Sequence, residues 1–126
     1  MKNKVLQGLT SYLLGHSAEN EARKWLEKKG YRFIAQKLKS KKGSGACELD
    51  LVMMDKKILV FIEVKKRKST QTAMEAILPI MQKRLYKGAE KFLALNPQYQ
   101  NMDCRFDAIC FDEDNNITHL KNVIEE

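Results

Sequence analysis

The fold is decided by residues 46–65, which read ACELDLVMMDKKILVFIEVK. The two flanks, 46–54 and 58–65, are rich in Val, Ile, Leu and Phe, a composition typical of β-strands. Asp55-Lys56-Lys57 is the only polar break between them. Residues 46–65 therefore predict an antiparallel hairpin.

Three charged residues, Asp50, Glu63 and Lys65, lie inside these apolar strands. They are informative because burying a carboxylate or an ammonium group without a partner is costly. Glu63 and Lys65 are two residues apart, so both lie on one face of the strand, roughly 6 to 7 Å apart. An even loop would bring Asp50 to the same place, whereas an odd loop would put it with Ile62 and Val64, on the core-facing side. The spacing alone leaves open a functional site or the polar side of a surface hairpin.

The segments around the hairpin predict a layered α/β protein. The order is helix, three strands, helix and strand, which indicates one mixed β-sheet flanked by helices. With 126 residues the chain is one domain, 1–126, with its core at about 15–120. The predicted elements are a short helix at 4–14, a helix at 17–29, a strand at 31–35, a basic loop at 37–45, a helical turn at 73–77, a helix from Pro79 to about 96, a strand at 104–111, a turn at 112–116 and a last strand or helix at 117–120.

The charge is distributed unevenly along the chain. Residues 1–102 carry 21 Lys and Arg against 9 Asp and Glu, a net charge of +12, while residues 103–126 carry 2 against 7, a net charge of −5. Such a basic excess on a small domain suggests a polyanionic partner. Nucleic acid is favoured over an anionic membrane, since no basic amphipathic helix long enough for a surface anchor stands out.

The cysteines and the amino terminus indicate the compartment. Cys47, Cys104 and Cys110 cannot all pair with one another, and none has metal-site spacing, so we expect free thiols in a reducing cytoplasm. The first 15 residues lack the cleavage site of a signal peptide, and no apolar run approaches the 18 residues of a membrane span.

Five ordered motifs between residues 15 and about 111 resemble those of the YraN family. They are Ala18-Glu19-Asn20-Glu21-Ala22, Glu48-Leu49-Asp50-Leu51, the run from Val60 to Arg67, Gln82-Lys83-Arg84-Leu85 and Arg105-Phe106-Asp107. Asp50 with Glu63-Val64-Lys65 also resembles the D…(D/E)-x-K signature of restriction-endonuclease-like nucleases. The family is regarded as predicted endonucleases related to archaeal Holliday-junction resolvases, so the resemblance implies a restriction-endonuclease-like core.

The resemblance also implies roles for individual residues. Asp50, Glu63 and the backbone carbonyl of Val64 would bind Mg²⁺ or Mn²⁺, hard cations that take oxygen ligands. Lys65 would hold the attacking water and neutralise charge on the phosphate, and Glu19 would reach the metal or its water. Glu48 is either a further carboxylate of the site or a solvated edge residue. The expected phosphate contacts are Lys66, Arg67, Lys68, Lys83, Arg84 and Lys87.

The leading hypothesis is therefore a metal-dependent DNA endonuclease. Selectivity for branched DNA is one expectation, and a small dimer is another, because a body of 126 residues covers little duplex by itself. The alternative is a non-catalytic basic nucleic-acid-binding protein that keeps the nuclease fold. A protein-interaction adaptor is a third hypothesis, which the +12 segment disfavours. Arg105 and Asp107 share a strand face and are expected to form an ion pair that supports the sheet, without a catalytic role.

Overall fold

A computed structural model describes residues 17–37, 49–67 and 79–124. The helices are α1 (Ser17–Lys28) and α2 (Pro79–Leu95), and a 3₁₀ turn, Pro97–Tyr99, follows α2. The strands are β1 (Arg32–Gln36), β2 (Leu51–Asp55), β3 (Ile58–Lys66), β4 (Asp103–Phe111) and β5 (Ile117–Leu120). The helix predicted at 4–14, the helical turn predicted at 73–77 and most of the basic loop lie outside the described residues, as do Cys47, Glu48 and Lys68.

The five strands form one mixed sheet in the order β1-β2-β3-β4-β5. Strands β3 and β4 are parallel, and the other neighbours are antiparallel. Because parallel neighbours need a crossover connection, the chain between β3 and β4 carries α2 over one face of the sheet. The predicted α/β fold with one mixed sheet and flanking helices is confirmed, and the last element is a strand.

The sheet is covered by one helix on each face. Helix α1 buries Ala22 and Leu26 against one face, where Val60 and Ile62 lie. On the other face lie Leu85, Ala89 and Phe92 of α2, together with Val52, Leu59 and Phe61. Strand β3 therefore has two core faces, and the expectation that only its even-numbered residues point into the core is wrong. The odd-numbered face is apolar until Glu63, so Glu63 and Lys65 lie where the core under α2 ends.

The β2–β3 connection is a two-residue turn. Asp55 pairs with Ile58, and the register runs on to Leu51 opposite Ile62. The turn residue Lys56 has a φ of 56°, a left-handed conformation. The predicted hairpin and its even loop are confirmed, but β2 begins at Leu51, later than the predicted start at residue 46.

A polar cluster lies on the α1 face of β4. The Nε of Arg105 donates to Asp107 Oδ1 at 3.0 Å, so the predicted ion pair is confirmed. His119 Nε2 lies 2.8 Å from Asp107 Oδ2, and the backbone N–H of Asn122 donates to Oδ1 at 3.0 Å. Arg105 also donates to Asp55 at 3.0 Å and to the hydroxyl of Tyr31 at 2.8 Å. This cluster ties β4 to β5, to the last residue of β2 and to Tyr31, which directly precedes β1.

Two findings concern membrane spans and cysteines. Among the described residues no helix is long and apolar enough to cross a membrane. Cys104 is exposed and Cys110 is buried, and neither belongs to a disulfide in this part of the chain.

Candidate active site

Asp50 lies immediately before β2, at the mouth of the hairpin. The β2–β3 ladder ends at the Leu51–Ile62 pair, and Asp50, the next residue outward, lies beside the Glu63–Val64 part of β3. Its Oδ2 accepts a hydrogen bond from the backbone N–H of Val64 at 2.9 Å. This bond holds the Asp50 carboxylate against the end of β3, and Asp50 is only half-buried. The even turn therefore places the carboxylate where the sequence required it.

Glu63 and Lys65 form an ion pair on the α2 face of β3. Lys65 Nζ lies 3.0 Å from Glu63 Oε1, and both side chains are 15% exposed. Alternation along the strand places the two side chains on one face, as predicted. Lys65 is therefore held at the carboxylate pair rather than drawn to a partner elsewhere in the fold.

The electrostatics of Glu63 distinguish it from an ordinary surface carboxylate. Burial raises the pKa of Glu63, and the negative charge of Asp50 raises it further. The hydrogen bond and charge of Lys65, and the charge of Arg84, oppose this shift without cancelling it. The two carboxylates thus form a partly dehydrated, under-neutralised negative pair. Such a pair is an environment that a bound cation would relieve.

Helix α2 supplies the wall of the site. Met81, Gln82 and Leu85 line a cavity of about 10 Å³ beside Glu63, at the lower limit for one water molecule. Arg84 is close enough for its charge to act on Glu63, and its Nη1 lies 3.7 Å from the sulfur of Met81. Gln82 was not assigned a role from the sequence. The sequence feature that could have identified Gln82 is its spacing of three residues from core Leu85, which puts the two side chains on one face of the helix.

The donor set fits a hard divalent cation. The described residues contain no group of three or more His, Cys, Asp or Glu side chains that could hold a metal. Asp50 and Glu63 supply two carboxylates, and Mg²⁺ is usually bound by one or two carboxylates plus waters and substrate phosphate. The N–H and C=O of a strand residue point to the same side, so the carbonyl of Val64 faces the Asp50 side, where its N–H donates.

Comparison with known proteins gives the family. The model of "Uncharacterised protein family UPF0102" matches residues 18–111. The chain belongs to the UPF0102 family. A UPF0102 protein of Klebsiella pneumoniae subsp. pneumoniae is 40% identical over 122 residues, which cover 94% of this chain and 91% of the relative. A UPF0102 protein of Coxiella burnetii is 36% identical over 114 residues, 89% of this chain and 92% of the relative. One of Paramagnetospirillum magneticum is 40% identical over 95 residues, 75% of this chain and 74% of the relative.

The other described residues predicted for the site of this UPF0102 chain are on α1, at the end of β3 and on α2. Glu19 is on α1, which packs on the face opposite α2, and the described part of the chain gives it no hydrogen bond or ion pair. Its role in the site stays a prediction. The described phosphate-contact candidates are all exposed, two at the end of β3 and three on α2: Lys66, Arg67, Lys83, Arg84 and Lys87. Of these, Arg84 is the one joined electrostatically to Glu63.

Proposed function

We propose that this UPF0102 protein is a Mg²⁺- or Mn²⁺-dependent endonuclease that hydrolyses phosphodiester bonds in DNA. One observation supports the proposal: Lys65 forms an ion pair with Glu63, and Asp50 accepts a hydrogen bond from the N–H of Val64, the residue between them. A lysine bonded elsewhere would have favoured a binding protein that keeps the fold without the chemistry.

The carboxylate pair and the Val64 carbonyl would hold the cation. Bound there, a divalent metal supplies Lewis-acid activation of the scissile phosphate and a more acidic water. Asp50 is oriented for this by the hydrogen bond that its Oδ2 accepts from the Val64 N–H, and its Oδ1 has no partner among the described residues. Burial and the nearby charge of Asp50 raise the pKa of Glu63, and a bound cation would favour its ionised form.

Lys65 would act on the phosphate. Its ammonium lies beside the carboxylates, where it can orient a water molecule and stabilise the negative charge that develops on the phosphoryl oxygens. Arg84 brings a second cation to the same mouth from α2 and would hold a neighbouring phosphate. These two cations act on substrate charge, while the carboxylates act on the metal.

The test of the chemistry is single-turnover cleavage with Mn²⁺ or Mg²⁺ on single-stranded, flapped, nicked and four-way DNA. Lys65→Ala should spare DNA binding but lower the cleavage rate at least about 10²-fold, because it removes charge stabilisation realised in the transition state. Asp50→Asn should abolish metal-dependent turnover and leave or tighten DNA binding. The matched control is Glu27→Gln, at a Glu-x-Lys sequence on α1, where Glu27 pairs with Arg23 in solvent. It should change neither rate nor binding.

A second readout tests the metal site without activity. Mn²⁺ should raise the melting temperature of the wild type, since a ligand that binds only the folded state stabilises it. The shift should disappear in Asp50→Asn and persist in Glu27→Gln. Cleavage that survives Lys65→Ala and Asp50→Asn unchanged would identify a contaminating nuclease. DNA binding without cleavage on any substrate would establish the alternative, a non-catalytic nucleic-acid-binding protein.

A further inference from the structure

A row of aromatic rings runs outward from the core beneath α2. Phe61 stacks on Phe106 with ring centroids 5.6 Å apart and an interplanar angle of 29°. Phe106 stacks in turn on Tyr86, with centroids 5.9 Å apart and an angle of 28°. Tyr86 is the outermost ring and is 44% exposed, although Phe61 and Phe106 are buried. The row therefore ends in an aromatic ring that is open to solvent.

A groove of about 490 Å³ lies along this row, between α2 and the start of β4. Its apolar wall includes Phe61, Tyr86 and Phe106, and its polar groups include the carboxylates of Glu90 and Asp103. In the part of the chain that the structure describes, neither carboxylate takes part in an ion pair or a hydrogen bond. The groove thus combines flat apolar surface with hydrogen-bond acceptors that have no partner within the described fold.

Helix α2 lines both the groove and the cavity beside Glu63. Gln82 lines the cavity beside Glu63, and Tyr86 is four residues further along α2. At 1.5 Å per residue this separation is about 6 Å along the helix, on the scale of one nucleotide step. Lys83 and Lys87, both exposed, flank Tyr86 on the same helix. A strand that follows α2 would pass both lysines.

We propose that this groove binds one unpaired nucleobase that carries an exocyclic amino group, stacked on Tyr86 and donating to Glu90 or Asp103. The proposal rests on the proposed function and specifies its substrate as DNA with an unpaired base next to the cleavage site. A base has the flat π-face that would continue the row of rings, and stacking on an aromatic side chain is a general way to bind single strands. The phosphates of the same strand would lie on Lys83 and Lys87, away from the two carboxylates.

The carboxylates exclude other occupants of the groove. Phosphate would be repelled by Glu90 and Asp103, so the backbone cannot be what fills it. A cationic peptide would suit the carboxylates but would be repelled by the exposed Lys83 and Lys87 on the same helix as Tyr86. Among bases, cytosine offers a 4-amino donor to a carboxylate, whereas thymine presents a carbonyl oxygen at that position. The groove should therefore prefer cytosine to thymine.

The experiment measures binding of fluorescent twelve-nucleotide oligo(dC) and oligo(dT) by anisotropy at pH 8 in EDTA, so that cleavage cannot contribute. Tyr86→Ala should weaken binding by about 5- to 150-fold, the range for losing one stacked base, and Tyr86→Trp should restore it. The matched control is Leu95→Ala, at an exposed large apolar side chain of the same helix that lies outside the groove. It should leave affinity unchanged.

A double variant tests the carboxylates. Glu90→Gln with Asp103→Asn will raise affinity for both oligonucleotides by removing negative charge, so the readout is the ratio of the two affinities. The wild type should prefer oligo(dC) by at least about 5-fold, and the double variant should lose that preference. Equal affinities in the wild type, or binding that Tyr86→Ala leaves unchanged, would overturn the proposal and favour a protein ligand for the groove. This binding assay contains EDTA and does not depend on cleavage. Failure of the nuclease proposal would therefore appear separately, as DNA binding without turnover in the cleavage assay with Mn²⁺ or Mg²⁺.

Discussion

At the scale of single residues, the same sheet holds two acidic side chains in opposite states. Asp107 is fully buried, and burial alone would raise its pKa, but hydrogen bonds from His119, Arg105 and the Asn122 N–H hold that pKa below its ordinary range. Glu63 has the reverse balance, since burial and the charge of Asp50 outweigh Lys65 and raise its pKa. The partners of Asp107 therefore favour its ionised form, while the surroundings of Glu63 disfavour its ionised form.

This difference predicts the effect of removing the Asp107 charge. Asp107→Asn should lower the free energy of unfolding by about 3 kcal/mol at neutral pH, because breaking a buried charged cluster leaves Arg105 without its main partner. Chemical denaturation of the purified protein measures the loss. Glu27→Gln, which breaks the solvent-exposed pair with Arg23, should cost about 0.5 kcal/mol or less.

The pH dependence of the same variant has a definite sign. An acid whose folded pKa is lowered stabilises the fold above its unfolded pKa, about 3.9 for Asp, and loses that contribution as the pH falls through the folded value. The contribution of Asp107 to the stability difference between wild type and Asp107→Asn should therefore shrink as the pH falls below that unfolded value. A difference that grew below pH 5 would show that Asp107 is not held ionised by its partners.

At the scale of elements, the sequence predicted the hairpin and the presence of α2, but it did not predict how α2 packs beside the hairpin. Two apolar runs around Asp55-Lys56-Lys57 predicted the strands, and the alternation rule then placed Glu63 and Lys65 together. The late start of β2 could not be read, since Asp50 leaves the strand ladder to accept a bond from the Val64 N–H, which is a tertiary contact. The proximity of Arg84 to Glu63 was equally hidden, because it depends on how α2 crosses β3.

Gly88 in the middle of α2 is explained by its close approach to Leu49. A Cβ placed there would lie 2.8 Å from Cδ2 and 3.1 Å from Cγ of Leu49, so the helix approaches Leu49 more closely than any side chain allows. Leu49 is buried and directly precedes Asp50. A glycine in a helix interior costs about 1 kcal/mol relative to alanine, but at this position it allows the close contact with Leu49.

Gly88→Ala should therefore destabilise the protein, although alanine has a higher helix propensity than glycine. Instead of gaining about 1 kcal/mol, the protein should lose about 1 kcal/mol through overpacking against Leu49. The displaced Leu49 should also move Asp50 and reduce the thermal shift produced by Mn²⁺. Adding Leu49→Val to Gly88→Ala removes one methylene at the contact and should recover part of both losses. A simple stability gain from Gly88→Ala would contradict the close approach.

At the scale of the whole molecule, the two faces of the sheet carry different kinds of polar chemistry. The α1 face holds the closed cluster around Arg105 and Asp107, in which charges meet charges inside the fold. The α2 face holds the carboxylate pair, the groove at Tyr86 and the exposed bases Lys83, Arg84 and Lys87. The net charge of +12 on residues 1–102 predicted a polyanion partner but could not say which face would meet it.

The last prediction tests that face with one pair of variants. Lys87→Gln and Lys28→Gln remove the same charge from exposed lysines, the first on α2 and the second at the end of α1. If duplex DNA lies along α2, Lys87→Gln should flatten the slope of log affinity against log salt by about 0.9, the value for one lost phosphate contact. Lys28→Gln should leave the slope unchanged, because a distant charge releases no counterion from the DNA. Equal effects of the two variants would mean that the DNA responds to net charge alone, and a larger effect of Lys28→Gln would place it on the α1 face, away from Asp50 and Glu63.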